Sequence, residues 1–184
     1  MDKTKVDVFL ESFNNSYLGK GSGLLSSCTL QVCTNLPEYH KLTKNTTRLT
    51  SIPEDQIIWV VKDTDGLLLS SLHLTYFKGL LHGAKTGTQQ IVQWSYSFTR
   101  EDEKYRRCGL NTTLRLASML WANSNGWDYI NSVPFEHAHS NAILQKMGFT
   151  KLYDNYDDSM YYIKDITSKQ QVINMCDSMI AKYL

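Results

Sequence analysis

Tyr105-Arg106-Arg107-Cys108-Gly109-Leu110-Asn111-Thr112-Thr113-Leu114 joins two segments of different hydrophobic period. Ahead of it, Gln89–Thr99 reads as a long strand, with Trp94, Tyr96 and Phe98 on alternate positions. Behind it, Leu110, Leu114, Ala117 and Trp121 recur at helical spacing up to the stop signal Asn125-Gly126, which predicts a helix from about Asn111 to Asn125. A strand that ends in a polar turn and continues as an amphipathic helix gathers free backbone N–H groups and the positive end of the peptide dipoles at one point. Gly109 lets an anion approach the main chain, and Arg106 and Arg107 supply charge-assisted hydrogen bonds. The stretch reads as a pyrophosphate or phosphate cradle. A plain helix start with solvated arginines is the alternative.

Outward from this turn, the second half alternates. A strand is expected over 127–133, closed by Pro134, then a short helix over 140–147 stopped at Gly148. A hairpin follows over 149–153 and 159–166, and a last helix opens with the capping-box spacing of Ser168 and Gln171 and carries Ile173, Cys176, Ile180 and Leu184 on one face. Toward the N-terminus, 57–62 and 67–77 form a hairpin across Asp65-Gly66. Residues 5–18 place Val6, Phe9, Leu10, Phe13 and Tyr17 at helical spacing, with a strand over 6–10 as the alternative. Gly19-Lys20-Gly21-Ser22-Gly23 lacks the Walker pattern and reads as a loop. Between 24 and 50 the pattern is weak: part is expected to be helical, with Pro37 marking a start or a break. Together these elements predict an α/β fold with a mixed, mostly antiparallel sheet.

The chain has 184 residues, the length of one domain. Its 19 Lys and Arg against 18 Asp and Glu leave a net charge of +1, which argues against broad charge-driven binding to nucleic acid or anionic membrane. The four cysteines, Cys28, Cys33, Cys108 and Cys176, form no metal-binding spacing and read as reduced thiols. No run has the length of a membrane span and the start is not an apolar leader, so a cytoplasmic address is expected.

Arg106-Arg107-Cys108-Gly109-Leu110-Asn111 resembles the R-x-x-G-x-G/A motif of the GNAT acetyltransferases, with Asn111 in place of Gly or Ala. His139-Ser140-Asn141-Ala142-Ile143-Leu144-Gln145-Lys146-Met147-Gly148-Phe149 resembles that family's late helix. The resemblance spans about residues 57–165 and implies a GNAT-like sheet flanked by helices, with an extra C-terminal helix. It implies one domain over 1–184: an acceptor-side region over 1–50, a core over 57–166 and a helix over 168–184. It also implies acetyl-CoA as cosubstrate, held by Ser97, Phe98 and Thr99 on the strand and by Arg106, Arg107, Cys108, Gly109, Leu110, Asn111 and Thr112 on the turn. The reaction implied is direct transfer of acetyl to a primary amine of a small molecule or a protein. The partners would be acetyl-CoA and an amine acceptor, without nucleic acid or membrane, in a monomer or homodimer.

In this resemblance the thioester oxygen takes a backbone N–H of the strand around 97–99. Where the family commonly carries an acid tyrosine, this chain has Leu144. Three readings follow: Tyr153 is the acid; His137, or Glu136 or His139 beside it, is the base, since histidine titrates near neutral pH; or positioning and solvent suffice, a thiolate being a good leaving group. Leu144 also keeps open a module that binds acyl-CoA without turnover. Trp94, Tyr96 and Phe98 are first of all sheet-packing residues and would also wall an acceptor cleft.

Overall fold

The computed structural model describes residues 3–20, 23–44, 49–79, 88–132, 138–154 and 159–182. Five helices, α1 (Lys3–Ser16), α2 (Leu36–Leu42), α3 (Leu110–Ser124), α4 (Ala138–Lys146) and α5 (Lys169–Ile180), accompany seven strands. The strands are β1 (Cys28–Val32), β2 (Gln56–Asp63), β3 (Leu68–Gly79), β4 (Gln89–Thr99), β5 (Tyr129–Ser132), β6 (Thr150–Asp154) and β7 (Ser159–Asp165). They form one sheet in the order β1-β2-β3-β4-β5-β7-β6. Every neighbouring pair is antiparallel except β4 and β5. The mixed, mostly antiparallel sheet expected from the sequence is the one found.

The stretch over 24–50 resolves into a strand and a helix. β1 is short and alternates buried with exposed residues, a pattern too brief to register as a strand in the sequence. α2 has Pro37 in its first turn, where the missing N–H costs nothing, and Asn35 caps it by accepting the Glu38 N–H at 3.1 Å. In the β2–β3 turn Gly66 takes φ 79°, and Asp63 Oδ1 accepts the N–H groups of Asp65 and Leu67.

Ile57 through Val61 on β2 are all buried because both faces of the sheet are covered. Ile57, Trp59 and Val61 join the larger core with α1, α3 and α5. Ile58 and Val60 join a smaller one with Cys33, Tyr39 and Leu68 beneath α2. The two parts of the N-terminal region thus sit apart: α1 on the α3 side, α2 on the opposite face. α3 is buried far beyond its predicted stripe, with Leu116, Met119 and Ala122 also at zero exposure. Its outer side is covered by α5, where Cys176 Sγ reaches the Leu116 carbonyl at 3.7 Å, and Tyr17 at the end of α1 donates to Asp177 Oδ1 on α5 at 3.0 Å.

Three expectations change. Ser168 precedes α5 but makes no side-chain capping bond. The buried row of α5 is Val172, Cys176 and Ile180, with Ile173 only partly covered, while Leu184 lies outside the described residues. Trp94 and Tyr96 do not share a face. Ser95 is an extra residue in β4, since Leu74 pairs with Trp94 and His73 with Tyr96. The bulge leaves Trp94 fully buried in the α3-side core and turns Tyr96 to the other face, where its ring lies 5.9 Å from that of His73. No helix among the described residues is long and apolar enough to cross a membrane.

Candidate functional site

The site begins where β4 leaves β5. The two strands are paired from Ile91 with Tyr129 to Trp94 with Ser132, and β4 then continues to Thr99 with only β3 beside it. The Arg100 N–H donates to the Leu69 carbonyl at 2.8 Å, and the Phe98 carbonyl accepts from Ser70 Oγ at 2.7 Å, so both residues point their backbone at β3. Backbone direction alternates along a strand, which turns the groups of Ser97 and Thr99 toward the opened side. The bulge lies at Ser95, just before the 97–99 segment whose backbone N–H groups are the expected donors.

The turn closes the end of this opening. A single 3₁₀ turn over Glu103–Tyr105 anchors it through Tyr105, which is buried. Arg107 and Gly109 then adopt left-handed conformations at φ 59° and 77°. Gly109 is the residue before the helix, and the Thr113 N–H to Gly109 carbonyl bond at 2.8 Å is the first turn of α3. The N–H groups of Leu110, Asn111 and Thr112 have no partner within the helix by construction, and no side chain caps this end. Leu110 and Thr112 send their side chains inward, so they offer only backbone.

Arg106 and Arg107 are exposed beside these donors. Cys108 turns its thiol back into the loop, 3.3 Å from each of the Lys104 and Arg106 carbonyls. Asn111 Nδ2 lies 3.5 Å from the Ser71 carbonyl on β3. Ser97 to Thr99 thus lie on the part of β4 that has no β5 partner, and Arg106 to Thr112 lie on the connection from that strand into α3. The donors and charges there suit a diphosphate at the turn and an extended chain along β4.

A second charge underlies the opening. Arg115 is 1 % exposed, lies over the Trp94 ring at 5.3 Å from its centroid, and donates Nη2–H to Ser97 Oγ at 3.3 Å. Burial pulls its pKa down to about 10, which leaves it cationic at neutral pH. The sequence reading passed over it. Its one signal was a charged residue between Leu114 and Leu116 in a helix that is otherwise apolar or small there.

Of the expected proton carriers, Tyr153 alone has a described side chain. His137 and Glu136 lie outside the described residues, as does the side chain of His139. Tyr153 is exposed on β6, the edge strand, with β7 and β5 between it and β4. Leu144 on α4 is fully buried as a core residue. Among the described residues no cluster of His, Cys, Asp or Glu has the makings of a metal site. A separate open cavity of about 570 Å³, walled by Tyr76, Phe77, Trp121 and Trp127, lies at the far ends of β4 and α3 from the turn. It has neither the helix start nor the unpaired strand.

No protein-family model matches the chain, and no curated protein matches its sequence. Its fold has solved counterparts. The ribosomal-protein-S18-alanine N-acetyltransferase from Escherichia coli is similar with a TM-score of 0.56 at 14% identity, over 77% of this chain and 95% of that one. A mutant AtaT toxin bound to the C-terminus of the antitoxin AtaR is similar at 0.60 and 11% identity, over 81% and 98%. The KacTA–DNA complex contains a chain similar at 0.59 and 13% identity, over 80% and 98%. The chain shares the fold of these structures, a GNAT fold.

Proposed function

We propose that this GNAT-fold chain is an N-acetyltransferase that moves acetyl from acetyl-CoA to a primary amine of a small molecule or protein, by direct transfer. The observation that carries the reading is the meeting of an unpaired strand edge, Ser95 to Thr99, with the uncapped start of α3 at Gly109. A structure of the AtaT mutant with the antitoxin C-terminus and acetyl-CoA has the same fold at a TM-score of 0.55 and 10% identity, which adds support for an acyl-CoA donor.

In this reading the pyrophosphate of CoA takes the N–H groups of Leu110, Asn111 and Thr112 and the guanidinium groups of Arg106 and Arg107. The pantetheine arm follows the open edge of β4 as a strand would. A backbone N–H of the 97–99 segment donates to the thioester oxygen as it gains charge. The amine nitrogen attacks the carbonyl carbon, the carbon–sulfur bond breaks, and its electron pair leaves on the CoA sulfur. Asn111 fits this arrangement in place of Gly or Ala because its amide is turned toward Ser71. A cytoplasmic setting with acetyl-CoA and an amine acceptor as partners belongs to the same proposal.

Thermal unfolding with acetyl-CoA, CoA, ATP and NAD tests it. Acetyl-CoA and CoA raise Tm in the wild type because a ligand of the native state stabilises by mass action. Arg106→Ala removes most of that rise, and added salt weakens it. A screen of primary amines, read by release of CoA thiol, then finds the acceptor. His137→Gln and Tyr153→Phe read out the two expected proton carriers. No stabilisation by saturating acetyl-CoA sinks the proposal. Stabilisation without thiol release from any amine leaves a module that binds acyl-CoA without turnover.

A further inference from the structure

Beside the bulge, the face of the sheet away from α1, α3 and α5 turns polar. Leu72 and Leu74 of β3 belong to the α3-side core, so His73 between them points to the opposite face. There it is 3 % exposed. Its Nε2 lies 2.8 Å from Gln56 Oε1, so this nitrogen carries the hydrogen and Nδ1 carries the lone pair. That Nδ1 is buried and has no hydrogen-bond partner among the described residues. Across β4, on β5, Ile130 goes to the α3-side core and Asn131 takes the same face as His73. Asn131 Oδ1 is also buried without a partner among the described residues. Between them on that face, Thr75 Oγ1 and Ser95 Oγ lie 3.2 Å apart.

Buried acceptors are normally paired, and two unpaired ones flanking a single strand call for a donor that the described residues do not supply. The place is where that donor would arrive. His73 is in register with Tyr96, the first residue of β4 beyond the bulge, and Tyr96 is 54 % exposed. The open edge that would hold the thioester begins at the same point. A primary amine is a hydrogen-bond donor with a proton to lose.

We infer that His73 is the base of the reaction, its Nδ1 taking the proton of the attacking amine through one bridging water on the Tyr96 side of the bulge. The inference rests on the acetyl-transfer reading. The amine nitrogen bonds to the carbonyl carbon, its proton passes to Nδ1, and the carbon–sulfur pair leaves on the CoA sulfur. The imidazolium then returns the proton to the thiolate. Gln56 positions the ring by accepting from Nε2, and Asn131 accepts a further hydrogen of the acceptor. Burial holds the imidazole below its ordinary pKa, so it is neutral and able to accept at pH 7. Asp55 opposes this from the turn before β2, Tyr96 is the phenol beside it on β4, and the Glu38 carboxylate of α2 is taken up by Lys62 at 2.8 Å.

The test uses the full chain, acetyl-CoA and the best amine from the screen. His73→Gln lowers kcat about 10²- to 10⁴-fold, the usual worth of a positioned base, and removes the acid limb of the pH profile. The stabilisation by acetyl-CoA and the KM for it stay at wild-type values. Gln56→Glu gives a reading should His73→Gln not fold: the carboxylate on Nε2 raises the acid limb of kcat/KM by about one pH unit. Turnover in His73→Gln within a factor of two of wild type, or an acid limb that stays in place in Gln56→Glu, overturns the assignment and leaves acetyl transfer standing. Absence of any stabilisation of the wild type by acetyl-CoA removes acetyl transfer, and this role with it.

Discussion

Trp94 donates its indole N–H to Ser118 Oγ at 3.0 Å, which pins the last paired residue of β4 to the middle of α3. The splay starts one residue later, so this bond sets the distance between the strand edge and the helix that starts the cradle. Ser118→Ala leaves a buried indole N–H unpaired and costs about 1–3 kcal/mol. In a chain of this length that lowers Tm by about 2–4 °C for each kcal/mol. Adding Trp94→Phe removes the stranded donor, so the double variant loses less than the sum of the singles in denaturant titrations. Additive losses would mean that the two residues do not act together.

Gly109 sits at φ 77° at the entrance to α3. Gly109→Ala forces an L side chain into the left-handed region at a cost of about 1–2 kcal/mol. In the acetyl-transfer reading a Cβ here also hinders the close approach of an anion to the main chain. The variant unfolds at lower temperature, and acetyl-CoA stabilises it less than the wild type by isothermal calorimetry. An unchanged affinity would place the phosphate elsewhere.

Cys108 is the only partly exposed thiol, while Cys28, Cys33 and Cys176 are buried. Burial pushes Cys28 up to about 11 and Cys176 up to about 12. Native protein should therefore react with Ellman's reagent at about one thiol, and Cys108→Ser should abolish that phase. Acetyl-CoA should slow the reaction, because Cys108 lies within the turn. Labelling that ignores acetyl-CoA would speak against a ligand covering this loop.

His73 titrates lower in the folded chain than in the unfolded one because it is buried. At acid pH the unfolded state binds the extra proton first. The stability it contributes is therefore present above the ordinary histidine value of about 6.5 and is lost as pH falls below it, by at most about 1.4 kcal/mol per pH unit. Chemical denaturation between pH 7.5 and 5 should show that slope in the wild type. It should flatten in His73→Gln. Identical slopes in both would assign the acid sensitivity to other groups.

Much of the fold was legible because its signals are local. The Asp65-Gly66 turn, the row of Leu110, Leu114, Ala117 and Trp121, and the Gly148 stop each depend on a few neighbours in sequence. β1 was not legible, since five residues acquire strand character only when β2 pairs with them. The even spacing of Trp94, Tyr96 and Phe98 misled for the same reason: the bulge at Ser95 is a mismatch with β3.

By itself, then, the sequence determined the chemistry of the turn. Gly109 beside Arg106 and Arg107 at a helix start offers backbone donors and positive charge whatever the rest of the chain does, because φ freedom, dipole and charge are properties of a short segment. Tertiary structure decided what that turn faces. The separation of β4 from β5 after Trp94 and Ser132, the burial of Arg115 against Trp94, and the meeting of His73 with Tyr96 arise from residues 21 to 38 positions apart. Pairing register and desolvation exist only after the sheet has closed, and they set an open strand edge and a buried imidazole beside that turn.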